Sequence, residues 1–303
     1  MSKIVSKTDL FLGIDDIGTE TGECIGWTYF VLPQNGYRWF AQQVSRTLAH
    51  APGLKHFHGK KYKTHYRTAY ERFLQVIAEG TNKCLQVRSV NRLYAKHFFS
   101  GFIKDIEAIS KDALAIAGVA DTELIKAMCL ASAPIIASLP LLQELGPDLH
   151  VIIEMDSDKH LEKLIRKHQH GTLSAEQLLS ILVNSYRNQK FRRSPVVDEV
   201  RVTKDTRSYM IQAADVVGHF SMNAIFHEIG TASKSKLEKS EVIRSAWGPQ
   251  FNLPPDLKQE IVLRNNDLVL VNGAAYTFSF GAVIKNWGKF GKPAEIVEDD
   301  LNV

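Results

Sequence analysis

Short apolar runs with strand character alternate with longer runs of helical periodicity along most of this chain. The opening is different, since three strand-like runs follow one another there, at 10–15, 24–32 and 37–44. The dipeptide Asn35-Gly36, between the second run and the third, is a strong signal for a two-residue hairpin. An antiparallel opening followed by alternating helices and strands predicts an α/β fold, in which a mixed sheet is flanked by helices.

The pattern also predicts the elements that follow the opening. In order, these are a helix over 66–79, a strand over 83–90, a mostly helical block over 92–145 that Pro134 and Pro140 break or kink, a strand over 150–155, a helical hairpin over 159–190 divided at Gly171-Thr172, a strand over 196–203, and a helix over 209–230 closed by Gly230. Ser174 and Gln177 have the spacing of a capping box.

Beyond the last helix we expect a charged linker over 233–241, two short strands within 267–284 and a frayed acidic tail. The chain then divides into a main domain over 8–230 and a C-terminal extension over 231–303. Within the main domain, residues 91–147 form a helical insertion.

The composition is that of a soluble globular protein. Of the 303 residues, 45% are hydrophobic and 23% charged, and the net charge of +4 is compatible with nucleic acid without requiring it. The chain begins without the apolar core of a signal peptide, and the apolar stretch over 127–142 is too short and too interrupted to span a bilayer. The three cysteines are isolated from one another: Cys24, Cys84 and Cys129. We therefore expect a cytoplasmic protein with no membrane partner.

Acidic residues stand at three places where apolar residues would be expected. Asp15 and Asp16 end the first strand. Glu154 and Asp156 come at the end of a later strand, where alternation puts both on one face. Asp215 stands inside an apolar helix, where aspartate is unfavourable unless something compensates it. Three polar residues share one stripe of that helix: Gln212, Asp215 and His219.

Each place also has an interpretation without chemistry. The two aspartates of the first strand could simply end it at a turn. Asp156 or, more favourably, Asp158 could cap the helix that follows, and Asp215 could pair with Lys204 or Arg207. Taken together, however, strand-end carboxylates and a carboxylate on a late helix supply the hard oxygen ligands that Mg²⁺ and Mn²⁺ prefer.

The opening GIDDIGTETG resembles the first strand and turn of ribonuclease-H-like nucleases, and the order of predicted elements is similar to the layout of that fold. The closer resemblance is to an uncharacterised bacterial family, a domain of unknown function with a ribonuclease-H-like fold. Its members open with a strand ending Asp-Glu-x-Gly, and they carry a His-Gly loop, a carboxylate in a mid-chain strand, and a late Gln-x-Ala-Asp helix after a lysine. The corresponding residues of this chain are Asp15-Asp16, His58-Gly59, Glu154 or Asp156, Lys204, and Gln212-Ala213-Ala214-Asp215.

The chain departs from the family pattern at Asp16, where glutamate is usual, and at His56, where an acidic residue often stands. It also continues well past the motif helix, which suggests an added subdomain.

The resemblance implies a catalytic metal site with Mg²⁺ or Mn²⁺. The metal ligands would be Asp15, Asp215, and Glu154 or Asp156, and the supporting residues would be Asp16, Lys204, Gln212 and His58. Lys204 would offset negative charge or orient a phosphate. His58 would shuttle a proton, unless it is an ordinary surface-loop histidine. Water, activated by two ions about 3.5–4 Å apart, would be the nucleophile.

Two basic clusters suggest contact with nucleic acid, although a solvated basic face balanced by acidic residues elsewhere would have the same composition. The first cluster, which includes Lys60, Lys61, Lys63 and Arg67, is interleaved with Phe57, Tyr62 and Tyr66. Unpaired bases can stack on such aromatic rings. The residues expected to bind nucleic acid are Lys60, Lys61, Lys63, Arg67, Lys163, Arg166, Lys167, Lys190, Arg192 and Arg193.

The sequence thus favours metal-dependent hydrolysis of phosphodiester bonds in RNA or DNA. One alternative is an inactive module that docks nucleic acid or protein, and another is a metal-dependent phosphohydrolase of a small substrate. A protein partner or a second copy of the chain is left open. The chain contains no P-loop, no dinucleotide-binding GxGxxG after a strand, no HExxH and no GxSxG motif.

Overall fold

The computed structural model describes residues 9–17, 24–82, 88–156, 173–229 and 233–248, together with three short strands within 261–278. The elements in chain order are β1 (Leu10–Asp16), β2 (Cys24–Pro33), α1 (Gln34–Ala49), α2 (Arg67–Asn82), β3 (Arg88–Ala95), α3 (Lys96–Ile116), α4 (Thr122–Leu142), β4 (His150–Asp156), α5 (Ala175–Lys190), β5 (Val196–Thr203), α6 (Tyr209–Glu228), α7 (Lys234–Trp247), β6 (Ile261–Arg264), β7 (Asp267–Leu270) and β8 (Ala275–Phe278).

The main sheet contains six strands in the order β5-β4-β1-β2-β3-β8. Strands β4 and β5 run parallel to β1, whereas β2 is antiparallel to both β1 and β3, and β8 is antiparallel to β3. Strands β6 and β7 form a separate antiparallel pair. The prediction of an α/β fold with a mixed sheet flanked by helices is therefore confirmed.

Alternate residues of the strands enter two different cores, one on each face of the sheet. On one face, even-numbered residues of β1 and odd-numbered residues of β2 pack with α3, α4 and α5. On the other face, residues such as Phe30 and Leu32 of β2 pack with α1, α2, α6 and α7. Because Leu12 and the other even-numbered residues of β1 lie on the first face, Gly13 and Asp15 lie on the opposite face, which α6 covers.

The predicted hairpin at 33–36 and return strand over 37–44 are wrong. Helix α1 begins at Gln34 instead, and its buried residues Gly36, Phe40, Val44 and Thr47 recur at spacings of three or four residues. This is the period of one helical face, and it prevails over the strand propensity of the aromatic residues. The third antiparallel strand of the opening is β3, which follows α1 and α2.

Two further predictions need correction. The segment 233–241, expected to be a charged linker, lies almost wholly in α7, whose N-cap Ser233 accepts a hydrogen bond from the backbone N–H of Lys236. The helical block was expected to begin at residue 92, but residues 92–95 are the end of β3. All four pair with β2, and residues 92–94 also pair with β8.

Several other predictions are confirmed. Helices cover 67–79 and 209–228, strands cover 150–155 and 196–203, and the capping box of Ser174 and Gln177 is present. The predicted helix before Gly171, the C-terminal role of Gly230, and the tail all lie outside the described residues.

Helix α4 is, within the described part of the chain, long and apolar enough to cross a membrane. However, 61% of its most apolar window is buried in the structure. This burial is consistent with a core helix of a soluble protein.

Candidate metal centre

Helix α6 packs directly on β1 and β2, because glycines stand where the helix and the sheet approach each other. A Cβ atom at Gly13 would lie 2.4 Å from the carbonyl oxygen of Met210, and one at Gly218 would lie 2.2 Å from Oγ1 of Thr28. Asp15 projects from the same face of β1 as Gly13. The close packing therefore places Asp15 against α6.

Asp15, Asp215 and His219 form a group that could hold a metal ion. One possible ligand atom of each residue lies within 4.8 Å of the other two. Asp215 and His219 are one helical turn apart, and Nε2 of His219 lies 3.3 Å from Oδ1 of Asp215. The structure thus brings together two of the predicted ligands and adds His219, which the sequence placed on the same stripe without identifying it as a ligand.

The two oxygens of the Asp215 carboxylate have different environments. Oδ2 accepts a hydrogen bond of 2.8 Å from the backbone N–H of Gly59, and it lies 2.7 Å from Nδ1 of His58. Oδ1 is buried and accepts no hydrogen bond from any residue that the structure describes. Because a buried carboxylate oxygen without a donor is unfavourable, Oδ1 is a natural position for a metal–ligand bond.

The Asp15 carboxyl group lies in an environment that disfavours its charged form. Burial, followed by the negative charges of Asp215, Asp16 and Asp156, raises the pKa of Asp15 well above its ordinary value, although Lys60 opposes this effect. A divalent cation would remove the repulsion between these carboxylates. The crowding therefore fits a cation-binding site.

Asp215 and His219 are, in contrast, held in the protonation states that metal ligands need. Burial raises the pKa of Asp215, but His58, His219 and the Gly59 N–H together bring it below its ordinary value. Burial is also the main reason why the pKa of His219 falls to about 4. At neutral pH, His219 is therefore uncharged, with a ring nitrogen available for coordination.

The loop that carries His58 and Gly59 is fixed to α6 by Gln212. Its side-chain Oε1 accepts a hydrogen bond from the backbone N–H of Phe57, and its Nε2 donates to the carbonyl oxygen of Asp205, both at 3.0 Å. Gly59 must be a glycine here, because a Cβ atom would lie 2.6 Å from Cβ of His219. The His-Gly and Gln-x-Ala-Asp motifs thus form one structural unit.

His58 lies in a loop, is half-buried and contacts two acidic side chains. Nδ1 of its ring faces Asp215, and Nε2 lies 3.8 Å from Oδ2 of Asp205. Its backbone N–H and carbonyl group both bond to the hydroxyl of Tyr70 on α2. These contacts orient the ring, and through it the carboxylate of Asp215.

Glu154, one of the two predicted mid-chain ligands, has other partners. Its Oε2 accepts a hydrogen bond of 2.5 Å from the hydroxyl of Ser208, and its Oε1 lies 3.5 Å from Nη1 of Arg201. Ser208 in turn caps α6 by accepting a hydrogen bond from the N–H of Ile211. Glu154 therefore helps to hold the start of α6.

The remaining predicted acidic and basic residues of the site lie at its margin. Strand β4 pairs with β1 so that Asp156 comes next to Asp15, and the side chains of Asp156 and Asp16 are exposed. Lys204 is also exposed, and it precedes the 3₁₀ turn Asp205–Arg207. Two other lysines act on the centre: the charges of Lys60 and Lys239 both lower the pKa of His219, after the effect of burial.

Those predicted nucleic-acid-binding residues that the structure describes lie in two separate places. Lys60, Lys61 and Lys63 are exposed near the centre, whereas Arg67 pairs with Glu71. Lys190, Arg192 and Arg193 precede β5, whose start pairs with the start of β4. They thus lie about 20 Å from the end of β4 where the centre is found. Three residues lie outside the described part: Lys163, Arg166 and Lys167.

Comparison with known proteins finds no matching family model, no matching curated protein and no matching solved structure. The chemistry of the centre must therefore be inferred from its own residues. Two carboxylates and an uncharged imidazole form a donor set that suits a divalent transition metal such as Mn²⁺, and carboxylates also suit Mg²⁺. The residues present fit a divalent metal ion.

Proposed function

We propose that the protein hydrolyses phosphodiester bonds of nucleic acid with Mg²⁺ or Mn²⁺ held by Asp15, Asp215 and His219. The observation that carries this proposal is the group of three ligand atoms within 4.8 Å, in which Oδ1 of Asp215 is buried without a hydrogen-bond donor. A purely structural carboxylate in the same place would be expected to have both oxygens satisfied.

The fold supports the same proposal. The strands β1, β2 and β3 are antiparallel neighbours, β4 lies parallel to β1, and a late helix carries Asp215 across the sheet. This layout is similar to that of ribonuclease-H-like nucleases and of the bacterial family that the motifs resemble. The chain's Asp15, His58-Gly59 and Gln212-Ala213-Ala214-Asp215 meet at one centre, as a shared site requires.

A bound Mg²⁺ or Mn²⁺ supplies a Lewis acid that lowers the pKa of a coordinated water and polarises a phosphoryl oxygen. The protein residues have separate tasks around it. Asp15, Asp215 and His219 would hold the metal, while His58 and the N–H of Gly59 fix Oδ2 of Asp215. The exposed Lys60, close enough to lower the pKa of Asp15, can attract the phosphate backbone.

A metal-dependent phosphohydrolase of a small substrate is the second candidate, because Lys190, Arg192 and Arg193 lie at the opposite end of β4 from the centre. The two functions differ in what the loaded protein cleaves. A nuclease would cleave an extended nucleic acid at low concentration. A phosphohydrolase of small substrates would hydrolyse a small phosphate ester and would show no preference for an oligonucleotide.

The test uses purified protein with Mn²⁺ and end-labelled single-stranded, duplex and hybrid oligonucleotides, with p-nitrophenyl phosphate in parallel. Asp15→Asn and Asp215→Asn should each reduce cleavage by at least about 100-fold, since each removes a charged metal ligand. Asp112→Asn, an exposed aspartate of α3 on the other side of the sheet, is the matched control. Cleavage at the wild-type rate by both folded site variants would refute the proposal.

A further inference from the structure

Strands β1 and β3 end at the same edge of the main sheet, because both are antiparallel to β2 and therefore run in the same direction. Asp16, the last residue of β1, pairs with Trp27 of β2, which pairs with Arg92 of β3. Since neighbouring strands lie about 4.8 Å apart, the end of β3 and the first turn of α3 come within roughly 20 Å of the metal centre. An extended ligand held at the centre can therefore reach the first turn of α3.

This first turn of α3 presents an exposed aromatic ring. Phe98 is 42% exposed, whereas Tyr94 of β3, against which it packs, is 2% exposed. The two rings are nearly parallel, with an interplanar angle of 12° and centroids 5.8 Å apart. Tyr94 is itself fixed by a second near-parallel contact with Phe102 and by an edge contact with Trp27. A buried aromatic layer thus holds the Phe98 ring in one orientation and leaves part of it open to a ligand.

The surroundings of Phe98 suit a polyanion that carries flat groups. Lys96 and His97 are exposed beside it, and the first turn of α3 contains no acidic residue. There is room next to the ring, because a Cβ atom at Gly101, one turn along the helix, would meet nothing within 4 Å beyond its own helical turn. Asp105, the first acidic residue of α3, is two turns or about 10 Å from Phe98. Basic residues around an exposed ring are the combination that binds unpaired bases.

We propose that Phe98 stacks on an unpaired base of a single-stranded nucleic acid whose phosphate backbone passes through the metal centre. This inference rests on the proposed function for the class of substrate, and it narrows that class from nucleic acid in general to single strands. A base inside a duplex is stacked on its neighbours, whereas an unpaired base can turn outwards onto an aromatic side chain.

The test measures binding of a fluorescein-labelled single-stranded oligonucleotide by anisotropy in CaCl₂, with the strand shown to be intact by gel electrophoresis. Ca²⁺ takes oxygen ligands and allows binding to be measured on the metal-loaded protein. Phe98→Leu keeps apolar bulk against Tyr94 but lacks a flat ring, so it should weaken binding at least about fivefold. Phe98→Trp should retain the affinity within about threefold. The matched control is Ile116→Ala, since Ile116 is an apolar residue of the same helix that is 89% exposed.

An abasic strand of the same length separates stacking from attraction to phosphates, because it keeps the phosphates and lacks the bases. The wild type and Phe98→Leu should bind this strand equally. The abasic strand also tests the inference without any variant, in case Phe98→Leu does not fold. The wild type should bind it at least about fivefold more weakly than the base-bearing strand, and equal affinity would overturn the inference.

Equal affinity of the wild type and folded Phe98→Leu for the base-bearing strand would also overturn the inference, as would an equal loss with the abasic strand. Dissociation of a dimer by Phe98→Leu, with unchanged oligonucleotide affinity, would replace it by an interface between two copies of the chain. Binding that depends on Phe98 in a protein that cleaves no nucleic acid with Mn²⁺ would contradict the proposed nuclease activity alone. The two proposals therefore fail by different results.

Discussion

Replacing Asp15 by asparagine should stabilise the metal-free protein and remove its response to metal. Burial and then the charges of Asp215, Asp16 and Asp156 raise the pKa of Asp15. A carboxyl group whose pKa is raised in the folded state favours folding below its unfolded pKa, and this advantage is lost as the pH rises through the folded pKa. Above that pH the wild-type protein carries a repulsion that the amide lacks.

The size of the effect follows from the geometry. Ligand atoms of Asp15 and Asp215 lie within 4.8 Å, where two unit charges repel by about 3 kcal/mol at an effective dielectric constant near 20. Protonation of Asp15 relieves part of this repulsion, so metal-free Asp15→Asn should be about 1–2 kcal/mol more stable than wild type near pH 8. Near pH 4 this difference should vanish.

Metal reverses the order of stability. An ion at roughly 100 times its dissociation constant adds about 2.7 kcal/mol to a protein that binds it only when folded. For a chain of this size, that corresponds to a rise of about 5 °C in melting temperature. The Asp15→Asn variant, which lacks a charged ligand, should show little or none of this rise.

The assay is urea unfolding between pH 4 and pH 8, in EDTA and in MnCl₂, with Asp112→Asn as the control. Two results would contradict this prediction. One is an Asp15→Asn protein that is less stable than wild type near pH 8 in EDTA. The other is a variant that Mn²⁺ stabilises as much as it stabilises the wild type.

Three further predictions concern the residues around the centre. Glu154→Gln should keep Mn²⁺ affinity within about threefold of wild type by titration, because the Gln oxygen can still accept from Ser208, whereas a ligand role would require a large loss. Gln212→Ala should lower the free energy of unfolding by about 2–3 kcal/mol and weaken Mn²⁺ binding, since it leaves the N–H of Phe57 without its acceptor; unchanged stability in urea would contradict this. Gly218→Ala should lower the free energy of unfolding by about 1–3 kcal/mol through its contact with Thr28, whereas Gly101→Ala, with open space around it in α3, should raise it by up to about 1 kcal/mol. A change of the same sign in both variants would show that helix propensity alone decides their stability.

The alternation of apolar and polar runs was sufficient to predict the mixed sheet, but not the element at 37–44. Tyr37, Trp39 and Phe40 have high strand propensity, and Asn35-Gly36 is typical of a hairpin. In the structure, Phe40 and Val44 are buried one helical turn apart. Local propensity was overridden by the burial of one helical face, which only the tertiary structure reveals.

Helix α7 escaped prediction for a related reason. Its buried face includes Lys239 and Ser240, so the hydrophobic pattern that identifies an amphipathic helix is interrupted there. The capping residue Ser233 was a usable local signal. Buried polar residues weaken the sequence pattern at that place.

The candidate site could be predicted in part. Asp15 and Asp215 stand out because each interrupts an apolar segment. His219 had a signal in its spacing of four residues from Asp215. Glu154 could not be separated from Asp156 by sequence, because both share a face of β4, and only the partner Ser208 reveals that Glu154 holds the start of α6.

The most direct test of the central claim is a crystal structure of the wild-type protein soaked in Mn²⁺, with the ion located by its anomalous signal. We expect manganese bound directly by Asp15, Asp215 and His219, with Oδ2 of Asp215 still bonded to the N–H of Gly59. Manganese bound through Glu154 instead, or no anomalous peak at this centre at millimolar Mn²⁺, would show that these three residues are not the metal ligands.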